Sequence, residues 1–315
     1  MKKIKLITQA FTFLLAFVLQ CFIQNTFAQQ PADTTADDGT IKPLVQVQNA
    51  DYSEVRKQFK TTLIKQDGSP RKTKSTDSVD VPPAGVTQFL FKSGNLTLKA
   101  WMNMPGEKSN KKYPAVVFLH GGFSFGKGDW DMTKPFRDSG FIVIAPMLRG
   151  ENGQPGIFSM FYDEVNDVIA AAKYARQQSF IDKEKIYLAG HSVGGTLTLL
   201  TAMSTKYYNK AASFSGSPDQ VIYCKYGIPA KIIPFDTLNA KEFEMRSPLA
   251  YAGSFKCPVR IYYGTNEPHF HLSTLQTVAI SKKKGLDVKS EQIEGGHEDA
   301  VPEEMKLAIK FFNQK

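Results

Sequence analysis

The chain has 315 residues, of which 42% are hydrophobic, and carries 39 Lys and Arg against 30 Asp and Glu. That apolar content supports a sizeable core and excludes wholesale disorder, and three cysteines are too few for a disulfide-dense scaffold. The formal charge of +9 is scattered rather than gathered into a stripe, so nucleic acid is not an expected partner.

Residues 1–28 have the layout of a secretory signal peptide: Lys2, Lys3 and Lys5, an apolar stretch from Phe11 to Leu19, then small Ala28 before Gln29. The expectation is cleavage near Ala28, export to the periplasm or beyond, and no stable membrane insertion afterwards. Lipoprotein processing at Cys21 fits less well, because Gln20 is bulky where a small residue is needed. Residues 29–50, rich in Gln, Asp, Thr and Pro, read as a disordered spacer. Within 51–66, Tyr52, Val55, Phe59 and Leu63 recur at helical spacing and predict a short segment docked on the main domain. Residues 67–85 are loop-like. Cys224 and Cys257 would both remain after export, and the sequence leaves their pairing open.

From residue 86 the pattern becomes that of a packed domain. Leu96, Leu98, Ala100 and Met102 alternate as in a half-buried strand. AVVFL (115–119), FIVIA (141–145), IYLA (186–189), AASF (211–214) and VRIYY (259–263) are short apolar runs, as expected of strands covered on both faces. DVKSEQI (287–293) is the last expected strand. Between them, Val165, Val168, Ile169 and Ala172 mark a helix. Leu275, Val278 and Ala279 predict the apolar face of another, closed by Lys282, Lys283, Lys284 and Gly285. A final helix should start at Pro302, with Glu303 and Glu304 in its first turn and Met305, Ile309 and Phe312 inward. The alternation predicts an α/β fold, a mostly parallel central sheet with helices on both faces. Residues 217–247, rich in Tyr, Ile, Pro and Phe and lacking a sustained period, read as a small cap insertion.

Gly190-His191-Ser192-Val193-Gly194 fits G-x-S-x-G between a strand and a helix. In that context the serine is forced onto a sharp turn, its hydroxyl exposed at the sheet edge. A serine needs a base, and His297 in Gly295-Gly296-His297 follows the last strand, where the order Ser, acid, His places it. The carboxylate that orients the base is expected to be Glu267, after VRIYY, with Asp219 one strand earlier as the competitor. His120-Gly121-Gly122-Phe123 after AVVFL supplies an oxyanion loop, so the donors expected are the N–H of Val193 and that of Gly122 or Phe123. Arg149 and Glu151, after FIVIA, read equally as substrate contacts or as members of an internal ion pair. His269 and His271 read as solvated loop residues. No phosphate loop, Cys/His ligand cluster or dinucleotide fingerprint is present, so neither a metal nor another cofactor is predicted.

Taken in order, HGGF, RGENG, GHSVGG, RSPLAYAGSFKCPV, YGTNE and GGH resemble the catalytic domain of the prolyl oligopeptidase family of α/β-hydrolases, across residues 86–315. The resemblance implies a serine peptidase with Ser192 as nucleophile, His297 as base and Glu267 as acid. It departs from the family in having Glu where Asp is usual, in lacking a matching oxyanion Tyr, and in having no β-propeller segment before residue 86. The implied substrate is a small peptide or ester. The alternatives are a carboxylesterase, esterified sugars included among its substrates, and a non-catalytic, hydrolase-like binding protein.

Overall fold

The computed structural model describes residues 40–69, 79, 81–105 and 111–314. The expected signal peptide, Ala28 and Cys21 lie outside the described residues. Among those described, no helix is long and apolar enough to cross a membrane.

Eight strands form one sheet: β1 (Val86–Ser93), β2 (Leu96–Asn103), β3 (Tyr113–Leu119), β4 (Ile142–Pro146), β5 (Ile181–His191), β6 (Lys210–Phe214), β7 (Val259–Gly264) and β8 (Val288–Ile293). Their order is β1-β2-β4-β3-β5-β6-β7-β8. β1 and β2 pair antiparallel, as do β2 and β4, and the remaining neighbours are parallel. The apolar runs follow from two-sided burial. In β3, Ala115, Val117 and Leu119 enter one core, while Val116 and Phe118 enter the core on the opposite face. β1 was not foreseen: it is an edge strand whose exposed Thr87, Leu90 and Lys92 break any continuous apolar run.

Seven helices are used below: α1 (Tyr52–Gln58), α2 (Lys127–Met132), α3 (Lys134–Asp138), α4 (Glu164–Gln177), α5 (Val193–Ser204), α6 (Pro268–Lys283) and α7 (Val301–Asn313). α4 and α5 pack on one face of the sheet; α2, α3 and α7 pack on the other, through Trp130, Phe136, Met305 and Phe312. α6 ends as expected, with Gly285 at a left-handed φ of 73° after the Lys triplet. Its inward face is not the expected one. Leu275 is exposed, and the buried residues are Phe270, Ser273, Thr274, Thr277 and Ser281. The Thr277 hydroxyl donates to the Ser273 carbonyl (2.8 Å), and that of Ser281 lies within reach of two acceptors for its one proton, the carbonyls of Thr277 (2.8 Å) and Ala252 (2.7 Å). Small hydroxyls satisfied by the helix's own backbone can be buried like alanine. α6 also takes in His269 and His271, which are therefore helical rather than in a loop.

The segment before the sheet is docked over more of its length than expected. Tyr52 is fully buried, with its hydroxyl donating to the Met245 carbonyl (2.8 Å), and Phe59 packs edge-on against Tyr162. Residues 40–50, expected to be a disordered spacer, also pack: Ile41 and Val45 are buried, the N–H groups of Leu44 (2.6 Å) and Val45 (2.9 Å) donate to Asp219, and Gln48 N–H donates to Ala250 O (2.7 Å). Low apolar content did not reveal this, because the acceptors come from residues far along the chain. The cap, 217–247, is a run of helical turns too short to show a period, at Gln220–Ile222, Tyr223–Gly227, Ala230–Ile232 and Ala240–Glu244. Buried Arg246 ties it down, donating to Glu242 (2.5 Å), Thr61 (2.8 Å) and the carbonyls of Ser159 and Met160. Leu63 forms a β-bridge with Phe235. Both Cys224 and Cys257 are free thiols.

Candidate active site

β5 delivers Ser192 at its C-terminal end, and α5 starts directly after it. Ser192 sits at φ 56° and ψ −115°, a conformation L-residues rarely adopt. The turn closes only because its neighbours lack side chains. A Cβ on Gly190 would strike the Gly194 carbonyl, one on Gly194 the Leu119 carbonyl, and one on Gly195 the Phe214 carbonyl. Ser192 N–H is anchored to Phe214 O at 2.8 Å. The result is an exposed-edge hydroxyl on a rigid, strained elbow.

The last strand and α7 bring in His297. Its Nε2 lies 2.8 Å from Ser192 Oγ, and its Nδ1 lies 2.5 Å from Glu267 Oε1. Glu267 is 2% exposed. Its second oxygen, Oε2, accepts from Ser215 Oγ (2.5 Å) and from Gly264 N–H (2.7 Å). Burial pushes the Glu267 pKa up, but the bonds from His297, Ser215 and Gly264 outweigh it and hold the carboxyl below its ordinary range. The bond to Glu267 raises His297 above an ordinary imidazole against the opposing effect of burial. The arrangement orders a hydroxyl, a base and a carboxylate in a line suited to nucleophilic attack.

Asp219, the competing acid, is brought elsewhere. It is fully buried, and its carboxylate accepts from the N–H groups of Leu44, Val45, Val221 and Ile222, so it fastens the docked segment to the cap. Arg149 and Glu151 are both engaged internally. Arg149 makes a two-pronged bond to Asp167 (Nε 3.0 Å, Nη2 2.7 Å). Glu151 Oε2 lies 2.8 Å from His120 Nε2 and accepts from Leu148 N–H at 3.1 Å. Burial lowers the His120 pKa, but the charge and hydrogen bond of Glu151 overcome it and raise it to about 9. That pair joins the HGGF loop to the RGENG loop. In the HGGF loop, the N–H groups of Gly122 and Phe123, and that of Val193 on the elbow, have no hydrogen-bond partner among the described residues. Gly122 adopts φ 66°, and a Cβ on Gly121 would come within 3.5 Å of Ser192 Cβ, so this loop closes directly over the elbow.

The sequence assigned no role to three supporting residues. Ser215, at a left-handed φ of 47°, holds Glu267. Its position at the end of β6 was the only available signal. His191, kept neutral by burial, donates from Nε2 to the carbonyl of His297 (2.9 Å) and so steadies the base's loop. Phe161, also left-handed at φ 70°, places its ring 6.3 Å from that of Phe123 and 5.8 Å from that of Tyr223. With Phe158 against Phe123 (5.1 Å), these rings form an aromatic wall running from the oxyanion loop to the cap. The open groove lined by Arg56, Phe59, Tyr162 and Asn166 carries none of these groups.

The chain matches the family model described as the Prolyl oligopeptidase family over residues 129–306, more than half its length. It is 24% identical over 226 residues to the uncharacterized peptidase YtmA of Bacillus subtilis, covering 65% of this chain and 79% of that protein. It is 22% identical over 204 residues to dipeptidyl-peptidase 5 of Porphyromonas gingivalis, covering 57% of this chain and 29% of that one. Among solved structures, the acylaminoacyl peptidase of Pyrococcus horikoshii superposes with a TM-score of 0.61 at 22% identity, over 73% of this chain and 41% of that one. Thermogutta terrifontis esterase 2 superposes with a TM-score of 0.59 at 20% identity, over 74% of this chain and 96% of that one. The chain thus spans less than half of the dipeptidyl-peptidase and of the acylaminoacyl peptidase, and nearly all of the esterase. With the matched region holding Ser192, Glu267 and His297, the chain belongs to the prolyl oligopeptidase family and is a serine hydrolase of the α/β-hydrolase fold.

Proposed function

We propose that the protein is an exported serine hydrolase that cleaves small peptides or esters through a Ser192–His297–Glu267 triad. Ser192 Oγ attacks the acyl carbonyl while His297 Nε2 takes its proton. Glu267 fixes the ring so that Nε2 is the free acceptor, and stabilises the imidazolium that forms. The oxyanion is met by the N–H of Val193 and that of Gly122 or Phe123. His297 returns its proton to the leaving group, and water, deprotonated by the same base, releases the acyl group from Ser192. The observation that carries this reading is the continuous relay of 2.8 Å and 2.5 Å beneath a serine held in a strained turn.

The aromatic wall of Phe123, Phe158, Phe161 and Tyr223 supports an apolar or aromatic group on the substrate. The layout of residues 1–28 supports export, and with it a substrate outside the cytoplasm. Family membership supports the peptidase reading. An esterase reading is favoured by one observation, the fit to nearly the whole of Thermogutta terrifontis esterase 2. A fluorophosphonate probe should label the wild type and not Ser192→Ala; labelling of neither leaves a non-catalytic binding protein. Rates on aminoacyl amides against acyl esters then decide between peptidase and esterase.

A further inference from the structure

Behind the triad acid lies a carboxyl that the relay does not use. Glu304 stands in the first turn of α7 and is fully buried, and neither of its carboxyl oxygens has a hydrogen-bond partner among the described residues. An acid in a first turn ordinarily faces water, as Glu303 does beside Lys306 (3.0 Å). α7 shares its core with Phe214 of β6 and Tyr262 of β7, and from its first turn Glu304 interacts electrostatically with Ser215, Glu267 and Tyr262. A carboxylate buried without a partner is strongly disfavoured, so the group keeps its proton. Burial, and then the charge of Glu267, push its pKa up to about 8, against a smaller opposing effect of Ser215, which faces it without a hydrogen bond of normal geometry.

The other charged groups on elements packed against α7 point away. Lys210 of β6 reaches the carbonyls of Phe311 and Gln314 at the far end of the helix. Arg260 of β7 lies over the Phe311 ring and pairs with Asp287. Lys134 and Asp138 of α3 pair with each other, and Arg137 lies over Trp130. Tyr262 of β7, raised to about 12 by burial, stays neutral. Glu304 therefore has one route to the reaction. Ser215 Oγ owns a single proton and donates it to Glu267 Oε2 at 2.5 Å. A neutral Glu304 leaves that bond alone, whereas an ionised one competes for the same proton and adds a second negative charge beside Glu267.

We propose that Glu304 is a positioning residue for the triad: while protonated it lets Ser215 hold Glu267, and through it His297, in line, and on ionising it draws Ser215 away. This rests on the triad reading given above. The test is kcat and KM for p-nitrophenyl acetate across a range from about pH 5 to about pH 10. In the wild type, kcat rises as His297 loses its proton, then falls about tenfold as the pH passes about 8, with KM unchanged. Glu304→Gln keeps the acidic limb and loses the alkaline fall. A variant that retains the fall, or a wild type flat on the alkaline side, overturns the proposal. Should the variant not fold, infrared spectra of the wild type decide. A carboxylic-acid C=O band must vanish in step with kcat over the same range, and the absence of such a band overturns the proposal. A wild type that no fluorophosphonate labels refutes the triad reading itself, whereas labelling with a flat alkaline side removes only the role of Glu304.

Discussion

Two histidine–glutamate pairs sit within this domain and behave oppositely. His297 and Glu267 are 2.5 Å apart, and His120 and Glu151 are 2.8 Å apart. In His120 the second ring nitrogen, Nδ1, lies 3.0 Å from the Gly121 carbonyl, an acceptor. Both ring nitrogens must then donate, which only the imidazolium can do, and both side chains of the pair are 2% exposed. In His297 the second nitrogen faces the Ser192 hydroxyl, a donor, and the side chain is 39% exposed. The first pair is a fixed charge that clamps two loops, and the second has the geometry that the proposed base requires. What separates structure from chemistry here is the group opposite the second nitrogen, together with access to water.

Glu267→Gln tests the working pair and should have the largest effect. The amide cannot stabilise the charged ring, and comparable triad changes cost about 10⁴-fold in kcat. Asp219→Asn should leave kcat within a factor of a few, because its carboxylate serves four backbone N–H groups rather than His297. Rate measurements in which the Asp219 change is the crippling one would move the acid to the end of β6.

Glu151→Gln breaks the fixed pair. Removing one partner of a buried ion pair costs about 3 kcal/mol, read as a lower urea midpoint near neutral pH. The sign with pH is set by His120, whose folded pKa of about 9 lies above its unfolded value. The pair's contribution is therefore complete below the unfolded pKa of about 6.5 and disappears as the pH rises through about 9. The gap between wild type and variant should close by about pH 10; a gap independent of pH would mean that His120 is not the cation described.

The smallest effect is expected in the cap. Tyr223, packed on Phe161, should matter for bulky acyl groups, with Tyr223→Ala lowering kcat/KM about tenfold for long chains and hardly at all for acetyl. Tyr226 is 49% exposed, so Tyr226→Ala should have the smaller effect across the series. A uniform drop for Tyr223→Ala that follows its melting temperature would make that residue packing only.

Much of the fold was legible because its signals are local. Runs such as AVVFL and FIVIA must be covered on both faces, and GHSVGG between strand and helix admits few backbones. What escaped was decided by partners distant in the chain. Residues 40–50 look polar and unstructured until Asp219 supplies their acceptors. The inward face of α6 looks polar until the hydroxyls of Ser273, Thr277 and Ser281 turn onto the helix backbone. Cys224 and Cys257 gave no sign in either direction and are free.

The sequence alone pointed to the mostly parallel sheet, to the elbow at Ser192 and to His297 as its partner, and it narrowed the acid to Glu267 or Asp219, because strand order and the steric demands of glycine turns are written in short stretches. Tertiary structure decided what each remaining polar group does. Asp219 became a fastener, Arg149 and Glu151 became internal partners, Ser215 and His191 became supports, and Glu304 was placed in the dark behind Glu267. A carboxylate's role depends on which donors and charges surround it and how far water is excluded, and those are set only when segments remote in sequence pack together.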